Sequence, residues 1–141
     1  MELTAVVDIP RPAAEVFDYI ADSRNNPAWQ KGMRKCEWIS DGPIALGSRY
    51  QQEASFLGRE VISVFEVTEY SPGKSIAFET VESTFPITVC RSVADLGDGT
   101  CRVSAVIGGG PKVPQFLQGV IGRIAQRSVR KDYDRLREML R

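Results

Sequence analysis

The segment "IPRPAAEVFDYIADSRNNPAWQ" (residues 9–30) predicts the end of a strand, a short helix and a second helical turn. The strand is "ELTAVVDI" (2–9), in which apolar and polar residues alternate until a proline ends it. Pro12 fits the first turn of the helix, where a missing N–H costs nothing. Apolar residues then recur at helical spacing at Ala13, Val16, Phe17 and Ile20. Ser23 is expected to cap the second turn, which ends at Trp29.

The middle of the chain is rich in strands. Six are expected, at 33–40, 48–58, 59–70, 74–83, 85–96 and 100–107. The connections between them are short and carry the Gly, Pro or Asp residues that tight turns need. Because short loops join successive strands, the pattern predicts an antiparallel meander and not a βαβ sheet.

A long helix is expected from Pro114 to the C-terminus, after "GGGP" (108–111) breaks the last strand. Its apolar stripe comprises Val113, Leu117, Val120, Ile121, Ile124, Ala125, Val129, Leu136 and Leu140. The prediction is one α+β domain spanning residues 1–141 with a helix-grip fold. A curved antiparallel sheet of about seven strands wraps around the C-terminal helix, and two short helices follow the first strand. Such a sheet leaves space beneath the helix.

Composition excludes several classes of function. The chain of 141 residues is 43% hydrophobic and 26% charged, which is ordinary for a globular domain. It has no histidine, and Cys36, Cys90 and Cys101 lack CxxC spacing, so no metal site or cofactor is expected. No apolar run is long enough for a transmembrane helix, and the N-terminus does not read as a signal peptide, so a cytoplasmic protein is expected. Monomer and homodimer remain open.

The last hairpin places one charge on an apolar face. A three-residue loop at Gly97–Gly99 predicts three cross-strand pairs: Val89 with Ile107, Arg91 with Ala105, and Val93 with Val103. A buried charge is costly unless it is paired. Arg91 therefore needs a carboxylate partner, a place at the wet rim, or an acidic group of a ligand.

The other strands contribute further candidates for the inner face. The third strand is expected to turn Tyr50, Gln52, Ala54 and Phe56 inward. In the hairpin between the fourth and fifth strands, a two-residue loop at Pro72 and Gly73 pairs Val67 with Phe78, Phe65 with Thr80, and Glu66 with Glu79. The last pair is unfavourable unless an arginine lies beside it. The parity of the second strand is ambiguous, which leaves Trp38 as a less certain candidate.

The long helix carries the remaining candidates. Phe116, Leu117 and Val120 are expected to face the sheet near the opening of the cavity. Gly119 and Gly122 each cost a helix interior about 1 kcal/mol relative to alanine. They indicate either room for a ligand or movement, or close packing against another element.

Over its whole length the sequence resembles the SRPBCC (START/Bet v 1-like) superfamily. The resemblance rests on "VDIPRPAAEVFDYIADSRNNPAWQKGM", "GPIALGSRYQQ", "FEVTEYSPGKSIAFET" and the terminal helix. Within the superfamily it is most similar to the small bacterial polyketide cyclase/dehydrase and lipid-transport group. The resemblance implies an apolar cavity between sheet and helix, and a fold that does not by itself give the activity.

The first hypothesis for function is a carrier or sensor of a small hydrophobic molecule such as a lipid, a polyketide or an aromatic metabolite. Pockets of this kind measure roughly 300–1,000 Å³ and have apolar walls with a few polar groups. The predicted ligand-binding residues are Trp38, Tyr50, Gln52, Phe65, Phe78, Thr80, Val89, Arg91, Ala105, Phe116, Leu117 and Val120.

Two alternatives remain open. One is a cyclase or dehydratase acting on a carbonyl compound in the same cavity, for which Tyr50, Glu53, Glu66, Glu79 and Arg91 are the available acid–base groups. The other is an interaction module that uses the basic face of the last helix. Residues 112–141 contain eight Lys or Arg against three Asp or Glu. Peripheral membrane contact would suit this face, whereas nucleic acid is not expected because aromatic residues are not interleaved with the arginines.

Overall fold

In the computed structural model, which describes residues 2–141, seven antiparallel strands form one curled sheet beside a long C-terminal helix. The strands are β1 (Glu2–Ile9), β2 (Met33–Trp38), β3 (Arg49–Phe56), β4 (Arg59–Ser71), β5 (Ser75–Glu82), β6 (Ile87–Gly97) and β7 (Thr100–Gly109). Their order is β1-β7-β6-β5-β4-β3-β2, so β2 to β7 form the expected meander and β1 pairs with the last strand. The predicted α+β helix-grip fold is confirmed.

The helices are α1 (Ala13–Ala21), α2 (Asn26–Trp29) and α3 (Gln115–Leu140), with a short 3-10 turn (Ser23–Asn25) between the first two. The apolar side of α1 is buried as expected. The capping prediction for Ser23 is wrong. The carboxylate of Asp22 accepts the backbone N–H of Arg24, because it stands one residue before the turn, and the Ser23 hydroxyl is buried without a hydrogen-bond partner.

The register of the last hairpin places Arg91 on the inner face of the sheet. All three predicted pairs form: Val89 with Ile107, Arg91 with Ala105, and Val93 with Val103. The turn itself is shorter than expected, since only Asp98 and Gly99 separate the strands, both with positive φ. An irregularity between Asp95 and Gly97 places one extra residue in β6, which compensates for the shorter turn and keeps the predicted pairing of β6 with β7.

The neighbouring hairpin, between β4 and β5, also has the predicted pairs, including Glu66 opposite Glu79. Arg49 relieves the like-charge contact, because its Nε lies 3.0 Å from Glu66 Oε1. The turn is one residue longer than predicted, and a bulge between Val67 and Glu69 absorbs the difference.

Only part of α3 packs against the sheet. Its neighbour is the edge strand β1, where the Gln126 side chain bonds both the N–H and the C=O of Thr4. A helix of 26 residues is about 39 Å long, whereas a strand of 8 residues spans about 27 Å. The first turns of α3 therefore extend past the sheet, and residues 115–120 are all exposed.

Candidate functional site: a cavity with a buried arginine

A cavity of about 220 Å³ lies between the concave face of the sheet and the middle turns of α3. Its apolar wall includes Phe56, Phe65, Phe85, Ile87, Val89 and Ile107. Its polar groups include Gln30, Tyr50, Gln52, Arg91 and Asp132. The volume is below the roughly 300 Å³ expected for a drug-sized pocket, so the cavity suits a small ligand.

Arg91 is the central charge of this wall. Its side chain is buried, with 3% relative exposure, so the rim position considered from the sequence is excluded. None of the ion pairs formed by residues 2–141 includes it, so a structural salt bridge is excluded as well. The guanidinium is thus buried without a carboxylate partner from the described chain.

Neutral groups satisfy one side of the Arg91 guanidinium. Nη1 donates to the carbonyl of Ile20 at 2.9 Å and to Asn26 Oδ1 at 3.0 Å. The Ile20 carbonyl belongs to the last turn of α1, the negative end of the helix dipole. The guanidinium carbon also lies 5.0 Å from the centroid of the Trp29 ring and 5.6 Å from that of Phe78.

The other side of the guanidinium is not satisfied by the described residues. Arg91 Nε is buried without a hydrogen-bond acceptor, and Trp29 Nε1, Tyr133 Oη and Gln30 Oε1 are also buried without partners. Trp29 and Tyr133 pack edge to face with ring centroids 4.8 Å apart, which fixes α2 against α3. Burial raises the pKa of Tyr133, and the Arg91 guanidinium opposes that rise through its charge and through its approach to the Tyr133 hydroxyl, although no contact between the two side chains has hydrogen-bond geometry. A buried donor without an acceptor is unusual and is open to a ligand.

Five of the predicted ligand-binding residues lie in the cavity wall: Tyr50, Gln52, Phe65, Val89 and Arg91. Four others lie in the core or sheet around it and do not line it. Trp38 donates its indole N–H to Asp22 at 2.9 Å, and Thr80 accepts the N–H of Ile87 at 3.0 Å. Phe78 and Ala105 are buried, with Phe78 against the ring of Tyr50.

The expected position of Phe116, Leu117 and Val120 is corrected by the structure. They lie on the part of α3 that extends past the sheet, with 82%, 37% and 48% exposure, and do not line the cavity. The helix is longer than the strand beside it, so these residues have no sheet to face. A Cβ at Gly119 or Gly122 would meet nothing within 4 Å, which excludes close packing as the reason for either glycine.

Several residues of the cavity wall were not predicted from the sequence. Gln30 lies in the connection between α2 and β2, and Met33 is the first residue of β2. No periodic pattern at these positions predicts which way a side chain points. The position of Asp132 could have been predicted, because it stands seven residues after the buried Ala125 and thus on the same face of α3. It accepts the N–H of Lys31 and pairs with Arg135, each at 3.1 Å, while burial raises its pKa.

The geometry leaves the enzyme hypothesis with few acid–base groups. Glu53, Glu66 and Glu79 alternate with inward-facing residues and therefore lie on the outer face of the sheet. Burial raises the pKa of Tyr50, so its hydroxyl stays protonated at neutral pH and cannot act as a base. Burial likewise raises the pKa of the Cys36 thiol to about 11, which makes it a poor nucleophile.

Comparison with known families decides the classification. A sequence profile of the family described as polyketide cyclase / dehydrase and lipid transport matches residues 1–141. The chain belongs to this family. None of the curated proteins resembles it in sequence closely enough to count as a relative. Membership in the polyketide cyclase/dehydrase and lipid-transport family, with this cavity, indicates a protein of the hydrophobic-ligand-binding or polyketide-cyclase type.

Solved structures share the fold of this family member. The protein TTHA0849 from Thermus thermophilus superimposes with a TM-score of 0.83 at 19% identity, covering 99% of this chain and 97% of that one. A START superfamily protein from Mycobacterium smegmatis gives 0.80 at 13% identity, covering 99% of both chains. The di-domain ARO/CYC BexL of the BE-7585A biosynthetic pathway gives 0.74 at 17% identity, covering 98% of this chain and 45% of its own. At these identities the likeness establishes the fold alone. Among residues 2–141, no helix combines the length and apolar character needed to cross a membrane.

Proposed function

We propose that the protein is a carrier or sensor of a small, mainly apolar molecule that bears an acidic group. The observation that carries the proposal is the buried guanidinium of Arg91, which lines an apolar cavity without a carboxylate partner from residues 2–141. Removing a charge from water costs several kcal/mol, and the two neutral acceptors and two ring faces offset only part of that cost. A ligand carboxylate or enolate beside Nε would supply the missing acceptor and the counter-charge.

The size of the cavity limits the ligand. An apolar cavity of about 150 Å³ is known to hold benzene. The cavity of about 220 Å³ therefore suits a substituted aromatic acid or a short acyl acid, and is too small for a two-chain lipid. Apolar wall residues such as Phe56, Phe85 and Val89 would supply most of the affinity through buried area.

The test compares a matched acid and amide, naphthoic acid and naphthamide, by fluorescence titration against the wild type and Arg91→Met. We expect the wild type to prefer the acid by about 10- to 100-fold, the range for a hydrogen bond to a charged group. Arg91→Met should lose that preference and still bind the amide. Arg102→Met is the control, because Arg102 is an exposed cation of β7 that pairs with Asp8.

The preference for the acid over the amide is a more specific readout than overall affinity. If Arg91 were merely structural, its replacement would weaken binding of both ligands equally. An acid preference that survives in Arg91→Met would overturn the role of Arg91. Failure of both ligands to bind the wild type would count against the cavity itself.

A second pair of variants locates the ligand. Val89 lies in the wall, and its neighbour Thr88 is exposed on the outer face of β6. Val89→Trp should fill the cavity and abolish binding of naphthoic acid, whereas Thr88→Trp should leave it unchanged. Equal binding by both variants would place the ligand elsewhere.

A further inference from the structure

The first half of α3 presents apolar side chains to solvent. Phe116, Val120 and Ile124 are exposed by 82%, 48% and 53%, and their spacing of four residues places them on one side of the helix. This side is distinct from the buried one, which Ala125 and Leu136 represent. Exposed apolar residues on one contiguous face indicate an interaction surface.

The same part of the chain is strongly basic. Residues 112–131 contain Lys112, Arg123, Arg127, Arg130 and Lys131 and no Asp or Glu. None of the five takes part in an ion pair formed within residues 2–141. At 100° per residue, Arg123 and Arg127 lie close to the line of exposed apolar residues. We define residues 112–131 as the basic apolar segment.

We infer that the basic apolar segment binds an anionic lipid surface, a role that goes beyond ligand binding in the cavity. An interfacial helix needs apolar side chains that enter the membrane boundary and Lys or Arg that meet the headgroups, and this segment supplies both. A second copy is disfavoured, because self-association would bring five unpaired positive charges against five others. Nucleic acid would leave Val120 and Ile124 without a role, and Phe116 is the single aromatic residue of the segment.

Vesicle flotation tests the inference with the full chain in the absence of added cavity ligand. We expect binding to phosphatidylcholine vesicles that contain phosphatidylserine, little binding to phosphatidylcholine alone, and a loss of binding as salt is raised. Phe116→Ser with Val120→Ser should weaken binding on the order of tenfold. The control is Val6→Ser with Val106→Ser, two exposed apolar residues on the outer face of β1 and β7.

A second variant separates charge from apolar contact. Arg123→Gln with Arg127→Gln should weaken binding to the anionic vesicles, whereas Arg59→Gln with Lys74→Gln, two exposed cations outside the segment, should not. Circular dichroism verifies that each variant is folded. Absence of binding to anionic vesicles, or equal loss in both pairs of charge variants, would overturn the inference. Self-association that the Phe116 and Val120 changes abolish would overturn it in favour of a second copy.

Discussion

Asp22 holds the connection between α1 and the 3-10 turn. Its carboxylate accepts the backbone N–H of Arg24 at 3.1 Å, the guanidinium of Arg24 at 2.6 Å and the indole N–H of Trp38 at 2.9 Å. Burial opposes ionisation, yet these hydrogen bonds keep the pKa of Asp22 below its usual range. A lowered pKa stabilises the fold above the unfolded-state value of about 3.9, and this contribution is lost as the pH falls through the folded-state value.

Asp22→Ala should therefore lower the free energy of unfolding by about 1–2 kcal/mol at pH 7. Ser23→Ala is the matched control, because the Ser23 hydroxyl is buried without a partner and its loss should cost nothing. Urea denaturation at pH 7 and at about pH 3 measures both variants. The deficit of Asp22→Ala should shrink at the lower pH; a deficit of constant size would show that the ionised carboxylate is not its source.

For Arg91, the sequence predicted which face of the sheet the side chain occupies but not which groups surround it. Alternation along β6 and the turn at Asp98 place it inward with the correct cross-strand partner. Its acceptors, Ile20 and Asn26, stand 71 and 65 residues away in sequence and reach it through tertiary packing. No local pattern reports such contacts, so the absence of a carboxylate partner could be seen only in the fold.

The element that sequence patterns described least well is α3. Its apolar periodicity predicted a helix with correct bounds, but it did not show that apolar residues form a buried set and an exposed set. The division depends on which strand lies beside the helix and on how short that strand is. Both the identity and the length of that strand follow from the pairing of β1 with β7. This pairing is a long-range contact, which local sequence patterns do not report.

Gly119→Ala and Gly122→Ala should each stabilise the first half of α3 by about 1 kcal/mol, because an added Cβ meets open space and alanine favours helix. Slower amide exchange in residues 116–124 is the expected readout. Gly109→Ala provides the contrast. Gly109 has φ +84°, and a Cβ there would overlap the Pro86 carbonyl, so this variant should be destabilised. Faster exchange in the helix variants would contradict the open environment of the two glycines.

At the scale of the whole molecule, the basic apolar segment contributes three residues to the cavity wall, Ala125, Ser128 and Val129. Its exposed apolar side chains, in contrast, lie on another side of α3. Residues 112–124 join two wall residues, Pro111 and Ala125, while Phe116 and Val120 lie outside the wall. This arrangement places the proposed lipid-binding surface next to the proposed pocket for an apolar acid. Together, the two proposals describe a protein that takes up its ligand at a membrane surface and holds it in the cavity.

Because the cavity and the exposed first turns of α3 are different surfaces, a substitution in one should abolish its own binding activity and leave the other unchanged. Val89→Trp should abolish binding of naphthoic acid in solution and leave flotation with anionic vesicles unchanged, because Val89 lies in the cavity wall and the exposed first turns of α3 do not. Phe116→Ser with Val120→Ser should do the reverse. Titration and flotation of the same protein preparations measure both properties. If the two helix changes weakened naphthoic acid binding as strongly as Val89→Trp does, the exposed turns of α3 would form part of the ligand site, and the two surfaces would have to be treated as one.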